Sequence, residues 1–255
     1  MNRILFEKSE IRDGACTFSG VRTEHVREVL HGEVGQILKT GELDGPIGTS
    51  EIVGLALDGA VTVRCSHTAV APAPWIDIVL APPRPRIMKR LLPQLAALGV
   101  GRIVLVGAEK VEKAFWGAQL LKEAVHRPLL VDGLMQAGTT AVPKITVEKN
   151  FRRYVAGGRL DEDFDANRQK FVAHPYGVAQ HRPPHPAESS FAPGVPVLAI
   201  GPEGGWTDDE VAMLEDRGFV RYSLGPRILR TDTAVVALVA QLMIAFGGEG
   251  EGRRS

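Results

Sequence analysis

Cysteine is scarce in this chain: Cys16 and Cys65 are the only two among 255 residues, and they lie far apart in sequence. A disulfide framework is thereby excluded, as is a zinc site built on C-x-x-C pairs, and no H-E-x-x-H occurs. Apolar runs of the ~20 residues that span a bilayer are missing. The longest candidate, Ala234 to Phe246, is interrupted by Gln241. No basic stretch followed by an apolar one opens the chain, so no secretory signal is expected. These absences point to a reducing, cytoplasmic setting, no membrane partner and no metal. Glycine-rich phosphate loops are absent too: neither G-x-G-x-x-G nor a P-loop occurs, which disfavours a conventional dinucleotide or ATP site. Charge of one sign is lacking. Thirty basic residues balance thirty acidic ones, so a nonspecific nucleic-acid coat is excluded and any RNA contact must come from local patches.

What is present divides the chain in two. Ala71-Pro72-Ala73-Pro74 is a proline-rich connector, and prolines cannot continue a sheet interior. We expect a domain of residues 1–72 before it and one of 75–246 after it. The first has short β-like runs, Arg3–Phe6, Gln36–Lys39, Glu51–Leu57 and Val61–Cys65, with one helical stretch, Glu24–Leu30. Asp58-Gly59 is a two-residue hairpin signal. This reads as a small β-barrel-like domain.

After the connector the rhythm changes. Trp75–Leu80, Arg102–Val106, Lys170–Ala173 and Val195–Ile200 are apolar runs without polar alternation, the pattern of strands buried on both faces. Helical stretches lie among them at Arg86–Leu98, Val111–Val125, Asp208–Asp216 and Thr233–Phe246. Alternation of strand and helix predicts an α/β domain with a mostly parallel sheet. Pro93 should kink or shorten the first helix. The proline-rich stretch 179–196 reads as a surface loop, where His181 and His185 lack the helical spacing of metal ligands. Asp161–Asp165 reads as a solvated loop, and residues 247–255, without an apolar side chain, as a disordered tail.

Three strand ends carry the chemistry. Ile200-Gly201-Pro202-Glu203-Gly204-Gly205-Trp206-Thr207-Asp208-Asp209-Glu210 runs from a buried strand through a glycine-rich turn into a helix. Thr207 and Glu210 have capping-box spacing. Its glycines let backbone approach a ligand, although a turn needing glycine only for geometry reads the same. A second loop, Gly225-Pro226-Arg227-Ile228-Leu229-Arg230-Thr231-Asp232-Thr233-Ala234, joins the strand Val220–Leu224 to a nearly all-apolar helix. That composition implies burial on every side, by the core or by a partner subunit. A third strand ends in His174-Pro175. Loops at the carboxyl ends of such strands are where small ligands bind.

The two long motifs, in this order and spacing, resemble the signature of the 16S ribosomal RNA uridine-N3 methyltransferase family. His25-Val26, Val29-Leu30 and Gly35-Gln36 add weaker support for that family's PUA-like RNA-binding domain at the N-terminus. The resemblance covers nearly the whole chain and implies a SPOUT fold, an α/β domain whose C-terminal segment threads a deep trefoil knot. It implies S-adenosylmethionine as cofactor, a homodimer, and 16S ribosomal RNA or the small ribosomal subunit as partner. His174, Ile200, Gly201, Gly204, Gly205, Leu224, Gly225, Ile228, Leu229 and Thr233 would hold the cofactor. Arg230, then Arg227, would stabilise the uracil anion formed when N3 loses its proton. Glu203 would orient the ligand or act as base, or be an ordinary turn carboxylate.

The chain departs from the family where RNA would be met. Gln94 stands at a lysine position, Ala97 at a glutamate, Thr139 and His31 at arginines, and Asp232 replaces a glutamate. A paralogue methylating a different RNA site, and a non-catalytic assembly factor that keeps the cofactor pocket, therefore stay open. Arg230 separates them, since an inactive module has no need of it. Arg84, Arg86, Lys89 and Arg90 could supply phosphate contacts or simply form a solvated helix face.

Overall fold

Alternating strands in one stretch of chain and uniformly apolar strands in another build two different sheets. The computed structural model describes residues 2–175 and 194–246. It falls into two units: Met1–Ala73 with Leu130–Val142, and Pro74–Leu129 with Pro143–Ser255. The expected tail 247–255, most of the expected loop 179–196, and His181 and His185 lie outside the described residues.

The first unit has strands β1 (Ile4–Phe6), β2 (Ile11–Arg12), β3 (Ala15–Phe18), β4 (Ile37–Glu42), β5 (Ile47–Leu55) and β6 (Val61–Ala69). Helix α1 (Val21–Glu24) runs straight into a wider π-type turn, His25–Val29. The sheet order is β1-β4-β5-β6-β3-β2; β1 and β4 are parallel and every other pair is antiparallel. Alternation puts Leu38, Val61 and Val63 on one face, where they join Ile4, Phe6, Cys16, Phe18, Val26 and Ile52 in a core. Burying each large apolar side chain contributes about 1.5–3 kcal/mol. The edge strands β1 and β2 are nearly consecutive in sequence, so the sheet curls back on itself around that core. Asp58-Gly59 does sit in a hairpin, but the connection spans Ala56–Ala60, with Ala56 N–H bonded to Ala60 O and Gly59 at φ +95°.

The second unit continues with β7 (Ile76–Leu80), α2 (Pro85–Ala97), β8 (Val100–Val106), α3 (Glu123–Ala137), β9 (Lys144–Glu148), α4 (Phe151–Ala156), α5 (Arg159–Asp163), β10 (Lys170–Ala173), β11 (Val197–Ile200), α6 (Asp208–Glu215), β12 (Phe219–Tyr222) and α7 (Thr231–Phe246). Its sheet runs β12-β10-β11-β7-β8-β9, and all five pairs are parallel. Strand β7 is buried throughout. The charge of Asp77 within it is met by Arg168 at 2.8 Å. The last turns of α3 belong to the first unit. There Met135 O accepts the N–H groups of Asn2 and Arg3, and Thr140 donates to Gly45 O.

Several expectations fail here. Val111–Val125 is not one helix: short 3-10 turns occupy Lys113–Gly117 and Gln119–Leu121, and the helix begins only at Glu123. The Phe-Trp-Gly stretch 115–117 favours a turn over a helix. Pro93 does not shorten α2, which runs on to Ala97. Its N1 residue is Pro85, where a missing N–H costs nothing. Asp161–Asp165 is not a solvated loop. It contains most of α5, and Asp163 is held by Arg102 at 3.0 Å and by the Tyr154 hydroxyl at 3.1 Å. Helix α7 buries Val235, Leu238, Val239 and Leu242 but leaves Ile244 88 % exposed, so within one chain it is covered on one side only.

Candidate functional site

Sheet order decides where the three loops meet. Strands β12, β10 and β11 lie side by side and parallel, so their carboxyl ends open at one edge of the sheet. The loop after β11 is held rigidly. Thr207 caps α6, its Oγ1 accepting the Glu210 N–H at 3.3 Å while Glu210 Oε2 accepts the Thr207 N–H at 2.9 Å, as the capping-box spacing predicts. The other oxygen of Glu210 accepts the Glu109 N–H at 2.8 Å. That buried carboxylate thus ties the loop after β8 to the loop after β11. Lys110 completes the tie: its Nζ donates to Gly204 O at 2.9 Å and to Trp206 O at 3.4 Å.

Glycine is required in this loop for two different reasons. A Cβ on Gly201 would lie 2.9 Å from Trp206 N and 3.1 Å from the Gly205 carbonyl carbon. Gly205 has open space around it but a φ of +68°. After β12 the chain turns at Gly225, φ +107°, whose N–H donates to Ser223 Oγ at 3.1 Å. At the end of β10, His174 N–H donates to Tyr222 O at 3.1 Å, joining the second and third loops.

Between these loops lies a cavity of about 330 Å³. Nine of the ten residues expected to hold a cofactor line it: His174, Ile200, Gly201, Gly204, Gly205, Leu224, Gly225, Ile228 and Leu229. Thr233 does not; it is exposed, while Thr231, buried two residues earlier, faces the cavity. Of the three residues expected to do chemistry, Arg227 and Glu203 are on the cavity wall. Arg230 is not; its side chain is 74 % exposed and stands 3.9 Å from Asp232. Glu203 Oε1 accepts the backbone N–H of Arg84 at 3.0 Å, so this carboxylate caps the start of α2. Arg84 in turn pairs with Glu112, which raises the pKa of its guanidinium.

Lining residues that sequence reasoning did not single out are Ala173, Pro175, Pro202, Tyr222, Ser223, Thr231, Ala234 and Leu238. The last three are spaced three and four apart, one face of α7, a signal readable once the helix start is known. Burial pushes the Tyr222 phenol up to about 12, so it stays protonated and donates to Gln241 Oε1 on α7. The cavity is thus walled by aliphatic side chains, floored by accessible backbone and supplied with one guanidinium. Its size and character suit a nucleoside-sized ligand more than a polyphosphate. Among the described residues no group of three or more His, Cys, Asp or Glu could hold a metal ion, and no helix is long and apolar enough to cross a membrane.

Residues 71–243 match the family model for an RNA methyltransferase domain. The ribosomal RNA small subunit methyltransferase E of Treponema pallidum is 30 % identical over 248 residues, covering 95 % of this chain and 91 % of that one. A Borreliella burgdorferi protein, ribosomal RNA small subunit methyltransferase E 1, is 26 % identical over 159 residues, 60 % of each chain. Among solved structures, a ribosomal RNA small subunit methyltransferase E from Neisseria gonorrhoeae, bound to S-adenosyl methionine, superposes with a TM-score of 0.73. It shares 20 % identity, covers 96 % of this chain and 98 % of its own, and therefore shares the fold.

Proposed function

This chain belongs to the ribosomal RNA small subunit methyltransferase E family, and on that premise we propose that it methylates N3 of a uridine in 16S ribosomal RNA, with S-adenosylmethionine as donor. The observation that carries the proposal is the convergence of three strand-end loops on one cavity. The residues present fit the donor. Gly201 lets the 201–206 turn fold tightly onto its own backbone at the cavity wall, and Ile200, Leu224, Ile228 and Leu229 offer apolar walls for a nucleoside. When bound, that donor supplies a methyl group already activated on a sulfonium.

The chain's own work is then binding, alignment and charge. Backbone of 200–205 and 224–229 holds the nucleoside end, and the loops fix the direction from which a nucleophile must approach. Uracil N3 carries a proton and attacks poorly until it is lost. A guanidinium beside O2 or O4 stabilises the anion. By its place in the motif Arg230 takes that role, turning in from the surface position where its side chain stands, and Arg227, on the wall, is second. Glu203, engaged with the Arg84 N–H, orients the loop rather than abstracting the proton. The target base must be unpaired or turned out of its stack to reach the cavity.

Further parts of the reading are proposals as well. Residues 75–246 form a SPOUT-type domain with a trefoil knot. Supporting this, α7 follows the edge strand β12 yet packs on α2 and β11. Residues 1–72 form a PUA-like RNA-binding domain, supported by the curled mixed sheet. Exposed Ile228, Met243 and Ile244 favour a homodimer, and a ribosomal RNA substrate favours the cytoplasm. A different uridine as target is favoured by one observation: Gln94 and Ala97 lie exposed on α2, where folding does not dictate their identity. Mass spectrometry of ribosomal RNA from cells lacking the protein tests activity and position together. Loss of one N3-methyluridine in 16S RNA is expected; an unchanged modification map would refute the proposal.

A further inference from the structure

Asp232 stands between two arginines. Its Oδ2 accepts a hydrogen bond from Arg90 Nη2 at 2.9 Å, and its Oδ1 lies 3.9 Å from Arg230 Nε. The same Oδ1 accepts the Thr233 N–H at 3.1 Å. The Asp232 side chain is only 20 % exposed, whereas those of Arg90 and Arg230 are 61 % and 74 % exposed. Arg90 sits on α2, which packs against α7, where Asp232 lies in the first turn. Among the described residues Asp232 is the one acid within ion-pair distance of Arg230.

An exposed guanidinium on a long side chain samples many rotamers, and a nearby carboxylate narrows that choice. Here the carboxylate is itself held, by Arg90 from the next helix and by a backbone N–H. Its charge is shared between two cations, so Arg230 is steered without being fully neutralised. It keeps positive charge for a developing anion, which a private pair with Asp232 would consume.

We propose that Arg90 and Asp232 are positioning residues for methyl transfer: Arg90 fixes the Asp232 carboxylate, and that carboxylate sets where the Arg230 guanidinium stands as the uracil anion forms. This rests on the role of Arg230 given above. It gives the α2 arginine a task other than phosphate contact, which its helix neighbour Arg86 would share.

The test uses the full chain, labelled S-adenosylmethionine and small ribosomal subunits lacking the modification. Arg90→Ala and Asp232→Asn are each expected to lower kcat about tenfold, with the double variant no slower than Asp232→Asn alone. Cofactor Kd should not change, and Arg90→Lys should recover part of the rate. The pH profile supplies a readout that a merely structural contact would not move. With Arg230 misplaced, the substrate proton is harder to lose, so kcat should level off at higher pH. Arg90→Gln, which keeps side-chain bulk, replaces Arg90→Ala if the latter unfolds. Additive effects of the two substitutions, an unshifted pH profile, or an equal rise in RNA KM for Arg86→Ala and Arg90→Ala at constant kcat would each overturn the proposal. Full turnover by Arg230→Ala would remove Arg230 from the reaction and the inference with it. Loss of turnover in Arg230→Ala beside a fully active Arg90→Ala sinks the inference alone.

Discussion

Replacing Gly201 by alanine should damage donor binding out of proportion to the one methyl group it adds. The new Cβ would meet Trp206 N at 2.9 Å, the Gly205 carbonyl carbon at 3.1 Å and Gly205 Cα at 3.2 Å. All three are backbone atoms, and the loop that carries them is pinned at both ends, by Glu203 to the Arg84 N–H and by Thr207 to α6. The clash cannot be relieved by turning a side chain. Forced overpacking of this kind costs about 1–3 kcal/mol. If the loop spends that energy by opening, affinity falls about 5- to 150-fold at 1.4 kcal/mol per decade. Gly205→Ala is the control. Nothing lies within 4 Å of its Cβ, but φ is +68°, so its cost is left-handed strain of about 1–2 kcal/mol. Asparagine, which tolerates that backbone, should recover part of the loss at 205 and none at 201. Isothermal calorimetry with S-adenosylmethionine reads both series, and thermal unfolding separates loop damage from global loss. Equal affinity in Gly201→Ala and the parent would show that the 201–206 turn does not hold the donor.

Two further outcomes follow from groups outside the cavity. Lys110→Met removes the donor to Gly204 O and Trp206 O while keeping most of the side-chain length, so donor Kd should rise about three- to tenfold, at ~1 kcal/mol for a hydrogen bond to an exposed charged group; arginine should restore much of it, and an unchanged Kd by calorimetry would refute the clamp. Burial raises the Cys16 thiol to about 11 from 9.0. Below pH 9 it is protonated folded or unfolded and its contribution is intact. Between 9 and 11 only the unfolded chain ionises, so stability falls by up to about 2–3 kcal/mol. Denaturant midpoints measured across that window should fall less steeply for Cys16→Val than for the parent.

The elements that sequence reasoning found are those whose local pattern is also their tertiary environment. Strands β7, β8, β10 and β11 are mostly apolar and buried on both faces, and α6 announces its start through Thr207 and Glu210. Strand β9 was missed for the opposite reason. It is an edge strand, half exposed, and Lys144-Ile145-Thr146-Val147-Glu148 alternates instead of running apolar. Helix α3 hides behind Pro128 and carries no single apolar face. Nothing local marks Leu130–Val142 as part of the first unit; Arg3 reaches Gly138 O, 135 residues away. In the site, glycine and proline placed two loops correctly, since their backbone demands are local. Lys110, Tyr222 and Leu238 come from other elements and needed the fold. The position of Arg230 at the surface was equally invisible, because a motif fixes neighbours in sequence and not the direction of a side chain.

The middle of the second sheet is filled by a latecomer. Strand β11 sits between β10 and β7, yet β7 leaves the ribosome more than a hundred residues earlier. Until Val197–Ile200 arrives, one flank of β7 and both flanks of β10 are without a neighbour, an invitation to adhere to other chains. Interrupted synthesis ahead of that point leaves a torn sheet, prone to clump and lacking every wall of the cavity except the end of β10. Completion of the sheet and assembly of its cavity are therefore one event, reserved for the final quarter of translation.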